Sequence, residues 1–299
     1  MTLTQLNYVV KIADTKSMNK AAAELFVSQP ALSGAVKELE EELHTTLFLR
    51  TNRGIVITAE GEEFLSYARQ MTELGDMIEN RFSGRTSYKK KFSVSMQHYS
   101  FAVQAFIELG KHFSMDEFEL AVHETKTHEV IDNVRYHKSE LGILYMNDFN
   151  EKALNKIFAE NDLTFVPLFD CGISVYLSQQ HPLACESRIT FEQLADYPCL
   201  SFEQGDKNSF YYAEEVLSTL EYKQTIKTDD RATALNLMDG MNAYTLCSGI
   251  ICESLNGGSY VAIPLDTDDT MTIGYIRQKH MPLSRIAQEY IDILQRYGA

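Results

Sequence analysis

The sequence predicts an α/β protein that opens with a helix-dominated winged helix-turn-helix and continues as two α/β lobes. Three observations carry this. Two short helical segments meet across only Phe26 and Val27, the tight junction of a helix-turn-helix. A basic turn, Arg50-Thr51-Asn52-Arg53-Gly54, lies between short extended segments just after that pair, as in a wing that reaches phosphate or the minor groove. From Lys91 onward strand and helix patterns alternate, the order of βαβ units.

Taken in order, Leu3, Leu6, Val9, Val10 and Ala13 repeat at helical spacing and end near Asp14-Thr15. Ser17 caps a second helix, whose packing face of Ala21, Ala22 and Leu25 is small enough for helices to cross closely. Ser28 caps the third, with Pro30 in the first turn, where a missing N–H costs little. Leu32, Val36, Leu39 and Leu43 form its buried stripe. The opposite face carries Gln29, Ala31, Ser33, Gly34 and Lys37, side chains that are small or hydrogen-bonding and allow close approach to base edges. Leu47-Phe48 return the chain to the core, and 55–57 read as a short strand.

Thr58 caps the next helix, and Glu60, Glu62 and Glu63 suit the positive end of its dipole. Phe64, Tyr67, Met71, Leu74 and Ile78 follow spacings of three and four, a heptad seam that predicts a dimerising linker helix. The polar run 83–88 reads as a hinge.

Beyond it, strands are expected over 92–96, 118–122 and 141–145, with helices over 101–113 and about 128–136, in a mainly parallel sheet with right-handed crossovers. A second set follows: strands 163–168 and 172–177, a helix about 190–194, a strand 199–202, helices near 209–220 and 231–239, and strands near 243–246 and 260–265. A strand over 273–277 and a helix over 284–297 close the chain. Two lobes crossed twice by the chain leave a cleft between them. The expected domains are 1–58 for the winged helix-turn-helix, 59–87 for linker helix and hinge, and 88–299 for the two lobes. The first lobe takes about 88–161 and 267–299, the second about 162–266.

Composition narrows the function. An apolar fraction of 44% in 299 residues supports a sizeable core. No run of about 18 apolar residues occurs, so no membrane-spanning helix is expected. The first residues lack the features of a signal peptide, and the expected location is the cytoplasm. The net charge of −15 is unevenly placed: residues 1–90 hold 11 Lys+Arg and 12 Asp+Glu, whereas residues 91–299 hold 16 and 30. The acidity belongs to the lobes, and DNA affinity depends on where the cations sit.

Catalytic and metal chemistry is not indicated. His123 and His128 stand five apart, not the four of a helical metal pair, and no phosphate loop, Gly-x-Gly-x-x-Gly or Gly-x-Ser-x-Gly occurs at a strand-helix junction. No cofactor and no metal are expected. Five cysteines without a Cys-x-x-Cys pair read as reduced thiols; redox sensing by Cys247 and Cys252 is the alternative. A stand-alone small-molecule-binding protein is a further alternative, one that leaves the first ninety residues without a purpose.

The N-terminal residues resemble the LysR-type transcriptional regulators. Leu3, Leu6, Ser17, Ala21-Ala22, Leu25, the run Ser28-Gln29-Pro30-Ala31-Leu32-Ser33, Val36, Leu39-Glu40, Leu43, Leu47-Phe48, Arg50, Arg53-Gly54, Thr58 and Gly61 carry the likeness. It continues weakly in His181-Pro182-Leu183-Ala184, in 194–198 and in Ile263-Pro264-Leu265. Two departures stand out: Glu140 where the family often has Asp, and Gly240-Met241-Asn242 where many members have Gly-x-Gly. Asn tolerates a left-handed backbone, so that turn can survive.

The resemblance implies a two-lobed effector domain like periplasmic binding proteins, a homodimer or homotetramer on promoter double-stranded DNA, and RNA polymerase as a further partner. The DNA-binding residues would be Ser28, Gln29, Pro30, Ala31, Ser33 and Lys37 with Arg50 and Arg53 of the wing. A small-molecule effector of unknown identity would meet Gln97, His98, Tyr99, Ser100, Thr125, Lys126, Thr127, Ser201 and Phe202. Ser100 opens a helix whose free N–H groups suit an anion, so an anionic metabolite is expected.

Overall fold

The computed structural model describes residues 1–51, 54–82, 90–113, 118–205 and 209–298, apart from the side chains of Arg50, Glu73, Met77, residues 79–82 and Glu253. The chain divides into two compact units, Met1–Tyr88 and Lys89–Ala299.

In the first unit, α1 (Leu3–Thr15), α2 (Met18–Glu24) and α3 (Gln29–Leu43) each begin on a hydroxyl cap: Thr2, Ser17 and Ser28 accept from the amides of Gln5, Lys20 and Ala31. Val9, Ile12, Ala21, Ala22, Leu32, Val36 and Leu39 are fully buried where the three helices meet. Glu40 ties the end of α3 to the wing by accepting from the Leu47 and Phe48 amides at 2.7 and 3.1 Å. The wing is an antiparallel pair, β1 (Phe48–Thr51) with β2 (Gly54–Ile57).

α4 (Ala59–Phe82) then starts from the Thr58 hydroxyl, which accepts the Gly61 amide at 2.9 Å. A side chain at Gly61 would stand 2.3 Å from the Leu47 carbonyl oxygen, so only glycine admits this close approach. Leu65 and Ala68 bury the inner face of α4, and Arg69 pairs with Asp14 of α1. The polar hinge expected at 83–88 lies outside the described residues.

The second unit holds the two lobes. In the first, β3 (Lys90–Met96), β4 (Phe118–Glu124), β5 (Leu141–Met146), β6 (Leu163–Gly172) and β12 (Thr270–Gln278) form one sheet in the order β4-β3-β5-β12-β6. Its helices are α5 (Ser100–Lys111), α6 (Thr127–Arg135), α7 (Glu151–Glu160) and α11 (Arg285–Gln295). All six residues of β5 are buried, as for a strand covered on both faces. Gly142 is required there, because a Cβ would meet Ile276, Val130 and Val134 at 2.7–3.0 Å.

The second lobe has an antiparallel sheet, β7 (Ser174–Ser178) between β10 (Thr245–Cys247) and β11 (Tyr260–Pro264), and a parallel pair, β8 (Cys199–Phe202) with β9 (Thr225–Thr228). α8 (Phe191–Leu194), α9 (Arg231–Met241) and α10 (Glu253–Asn256) complete it. α9 ends on Asn242 at φ 50°, the left-handed turn that asparagine tolerates in place of glycine.

Four expectations need correction. The first-lobe sheet is mixed, not mainly parallel, since β12 runs antiparallel to both β5 and β6. The first lobe does not end at 161: β6 pairs with β12 from Leu163 to Gly172, so the chain crosses about ten residues later than expected. The return crossing falls between β11 and β12, near the expected 266. α7 was not anticipated, although Leu154, Ile157 and Phe158 have helical spacing. Over 209–220 the helix is absent; a single 3-10 turn, Phe210–Tyr212, gives way to turns.

Candidate functional site

Two surfaces bear on function, one in each unit. On α3, Ser28, Pro30, Ala31, Gly34 and Lys37 are exposed and Gln29 and Ser33 half-buried, while Leu32, Val36 and Leu39 face inward. The helix thus presents its first turn and one polar face to solvent, the geometry that enters a major groove. Lys37 reaches Glu41 at 3.4 Å, one turn along, rather than its neighbour Glu38. Arg53 and the Arg50 side chain, the wing cations, lie outside the description. Gly34 has nothing within 4 Å of where a Cβ would stand, so no protein neighbour demands the glycine.

The lobes enclose a cavity of about 90 Å³. Five of the nine expected effector residues line it: His98, Tyr99 and Ser100 from the turn between β3 and α5, and Ser201 and Phe202 from β8. The His98 ring stacks on Phe202 with centroids 3.8 Å apart and planes 2° from parallel, joining the lobes face to face. Gln97 and Thr127 sit one layer behind. Gln97 donates to the Thr127 hydroxyl at 2.6 Å, and the Thr127 amide donates to Gln204 Oε1 at 3.0 Å. Thr125, bonded to Glu129, and Lys126, beside Gly205, do not line the cavity.

The cavity's charged lining was missed from sequence. Glu214 and Glu215, both buried, face it together with Arg231 at the start of α9. Glu214 Oε2 accepts from His98 twice, from the backbone amide at 3.0 Å and at ring Nδ1 at 2.7 Å, while Oε1 accepts from Gln204 at 3.0 Å. Glu215 Oε1 accepts the Phe202 amide at 2.7 Å. Burial, then the neighbouring Glu214, pushes the Glu215 carboxyl up to about 8, which favours its protonated form. Arg231 pairs with Glu124 of the first lobe. Tyr145 of β5 donates to the carbonyls of Ala213 and Glu215, both at 3.2 Å, pinning this acidic segment over the cleft. Apolar walls come from Leu200, Val216, Ala234, Leu235, Met238 and Leu246. The signal for the acidic pair lay in plain view, two carboxylates inside an aromatic and apolar run.

On the first-lobe side, Tyr99 makes no side-chain cap on α5, and the Ser100 hydroxyl accepts the Cys252 amide at 3.4 Å from across the cleft. Four of the five thiols are held away from ionisation. Burial raises Cys171 to about 11 and Cys199 and Cys247 to about 12, and it raises Cys252 as well.

A helix-turn-helix with a wing and a cleft between two lobes find their counterpart in known proteins. Residues 3–62 match the bacterial regulatory helix-turn-helix protein, lysR family, and residues 100–299 match the LysR substrate binding domain. The chain belongs to the LysR family. As a LysR-type protein it is a DNA-binding transcriptional regulator with an effector-binding domain, not an enzyme. The HTH-type transcriptional regulator YbhD of Escherichia coli K12 is 25% identical over 98% of this chain and 90% of its own. AlsR of Bacillus subtilis 168 is 30% identical over 67% of this chain and 64% of its own. Among solved structures, a full-length OxyR variant from Pseudomonas aeruginosa shares the fold at 21% identity, covering 99% of this chain and 95% of its own, with a TM-score of 0.73. Full-length CbnR in complex with its target DNA does so at 18% identity, covering 99% and 100%, with a TM-score of 0.59.

Proposed function

We propose that this LysR-type regulator binds promoter DNA as a dimer or tetramer and changes its output when a small metabolite with an anionic group enters the cleft between the lobes. The observation that carries the reading is the cavity itself, bounded by the first turn of α5 on one side and by β8 and α9 on the other. Helix N-termini favour anions because their first amides have no intrahelical partner. A ligand there touches both lobes at once, so binding energy couples directly to the angle between them.

On DNA, Ser28, Gln29, Pro30, Ala31, Ser33 and Lys37 would meet the major groove and Arg50 and Arg53 the phosphates or minor groove. Gln29, at the first position of α3, suits bidentate reading of an adenine edge. Pairing through the outer face of α4 would set two copies of α3 about 34 Å apart along the duplex, or a multiple of that. Action in the cytoplasm and contact with RNA polymerase belong to the same reading. The redox alternative finds no support in Cys247 and Cys252, whose thiols burial holds from ionisation.

Footprinting with the DNA upstream of the protein's own gene tests the reading. A protected, roughly two-fold-symmetric site is expected. Gln29→Ala should cost ~1–3 kcal/mol of discrimination at a single base pair while leaving affinity for random DNA unchanged. Equal losses on operator and random DNA would remove Gln29 from base readout, and no footprint at low salt would defeat the DNA assignment.

A further inference from the structure

Four acidic or basic side chains meet at the cleft, and their balance is not that of a simple anion site. Glu214 is satisfied by His98 and Gln204, and the Arg231 guanidinium is already held by Glu124. Glu215 differs. It is 6% exposed and lines the cavity, its carboxyl takes hydrogen bonds only from backbone amides, those of Phe202 and of Glu215 itself, and no cationic side chain among the described residues pairs with it. A buried carboxyl facing a hollow without a cation is costly unless something else supplies the donor. Much of the rest of the wall is aliphatic, from Ala234, Leu235 and Met238 of α9 and Leu246 of β10, with Tyr176, Thr228 and Asn256 among its polar side chains.

We propose that the effector carries an ammonium group, set against Glu215, on a compact apolar body. The inference rests on the cleft being the effector site. Taken with an anionic group at the start of α5, it makes the ligand a small zwitterion of the amino-acid type. The hollow, about 90 Å³, suits a compact ligand rather than a large one.

Binding has a proton balance. The ligand arrives as an ammonium, the Glu215 carboxyl releases its proton to solvent, and the ion pair forms, with no covalent bond made or broken. The groups that face Glu215 are Glu214 on its own segment, Tyr99 and Tyr145 from the first lobe, Cys199 and Tyr222 from the second, and Arg231 across the cavity. With Glu215 raised to about 8, affinity should rise between pH 6 and pH 8.5. At fixed pH 7, calorimetry in buffers of different ionisation enthalpy should show up to one proton released.

The test uses the full-length protein in thermal-shift and calorimetric titrations with matched probe sets. Each set contains an unbranched α-amino acid, the amine lacking its carboxyl and the acid lacking its amine; norvaline, butylamine and pentanoate form one such set. Sets run from two to six carbons. At least one amino acid or amine should raise the melting temperature by more than about 3 °C. Glu215→Gln should weaken that ligand at least tenfold and abolish proton release, because the amide still accepts the Phe202 N–H but cannot carry charge. Leu235→Trp, which fills the cavity, should abolish binding and serves as the second variant. Response only to the carboxylates, unchanged in Glu215→Gln but lost in Leu235→Trp, would overturn the ammonium proposal and leave the cleft standing. A response that survives Leu235→Trp would overturn the cleft itself. No response to any set would overturn the proposal.

Discussion

Glu215 shows how far one side chain depends on its surroundings. In an unfolded chain its carboxyl ionises near 4.5; folded, burial and Glu214 hold it at about 8. Between those values the folded state binds the extra proton. Its contribution to stability is therefore fully present below about pH 4.5 and is lost as pH rises toward 8. Glutamine does not titrate, so Glu215→Gln should lose less stability than the wild type between pH 5 and pH 8, by a margin of kcal/mol order. Urea denaturation at a series of pH values measures this, and parallel curves for the two proteins would contradict it. Phe26 illustrates the opposite case, a residue whose sequence position said little. It occupies a left-handed conformation at φ 55° and is 95% exposed, so the tight turn between α2 and α3 is made with strain and an uncovered aromatic ring. Nothing in the spacing of the flanking helices foretells that conformation.

At the scale of elements, α4 is the clearest. Its inner face, Leu65 and Ala68 with Arg69, belongs to the first unit, and Phe64 packs half-buried on the same core. Tyr67, Met71, Leu74 and Ile78 are 45–58% exposed, an apolar stripe along the outer face of one chain. That stripe supports the dimerising role read from its heptad spacing, with Phe64 shared between seam and core. Leu74→Glu should therefore leave the circular dichroism and melting of the helices intact and shift the sedimentation equilibrium to monomer. A variant that remains dimeric would move the interface elsewhere. Capped, periodic helices such as α1 to α4 are legible because local hydrogen bonds and one apolar stripe determine them. The stretch 209–220 was not, for its apolar residues imitate a helix while its backbone instead follows the contour of the cleft. Tyr145 holds two of its carbonyls, and Glu215 bonds Phe202, partners supplied by distant strands.

Across the second unit, the lobes are held together by polar contacts as much as by packing. Glu214 grips His98, Arg231 meets Glu124, Gln204 receives the Thr127 amide and His98 stacks on Phe202. One apolar core also runs through both lobes, from Val94 and Leu141 to Val175 and Leu246. Removing one partner of the buried Glu214–His98 contact should cost about 3 kcal/mol, so Glu214→Ala should melt well below the wild type. It should also widen the angle between lobes, seen as a larger radius of gyration in X-ray scattering. An unchanged radius would mean that the core alone fixes closure. Most of the negative charge sits in residues 91–299, which hold 16 Lys+Arg against 30 Asp+Glu, rather than in the first ninety.

From the sequence alone came the order of a helix-turn-helix before two lobes, the three N-terminal helices with their caps, and the turn residues His98 to Ser100 that border the cleft. These are local: spacing, capping and charge are written in consecutive residues. Only the tertiary structure decided that β6 belongs to the first lobe, because its partner β12 lies about a hundred residues away and no local pattern encodes the pairing. It alone also turned Glu214 and Glu215 inward. A buried carboxyl is tolerated only when donors from elsewhere in the chain reach it: Gln204 and Phe202 do so once the second lobe has folded, and His98 only once the first lobe meets it.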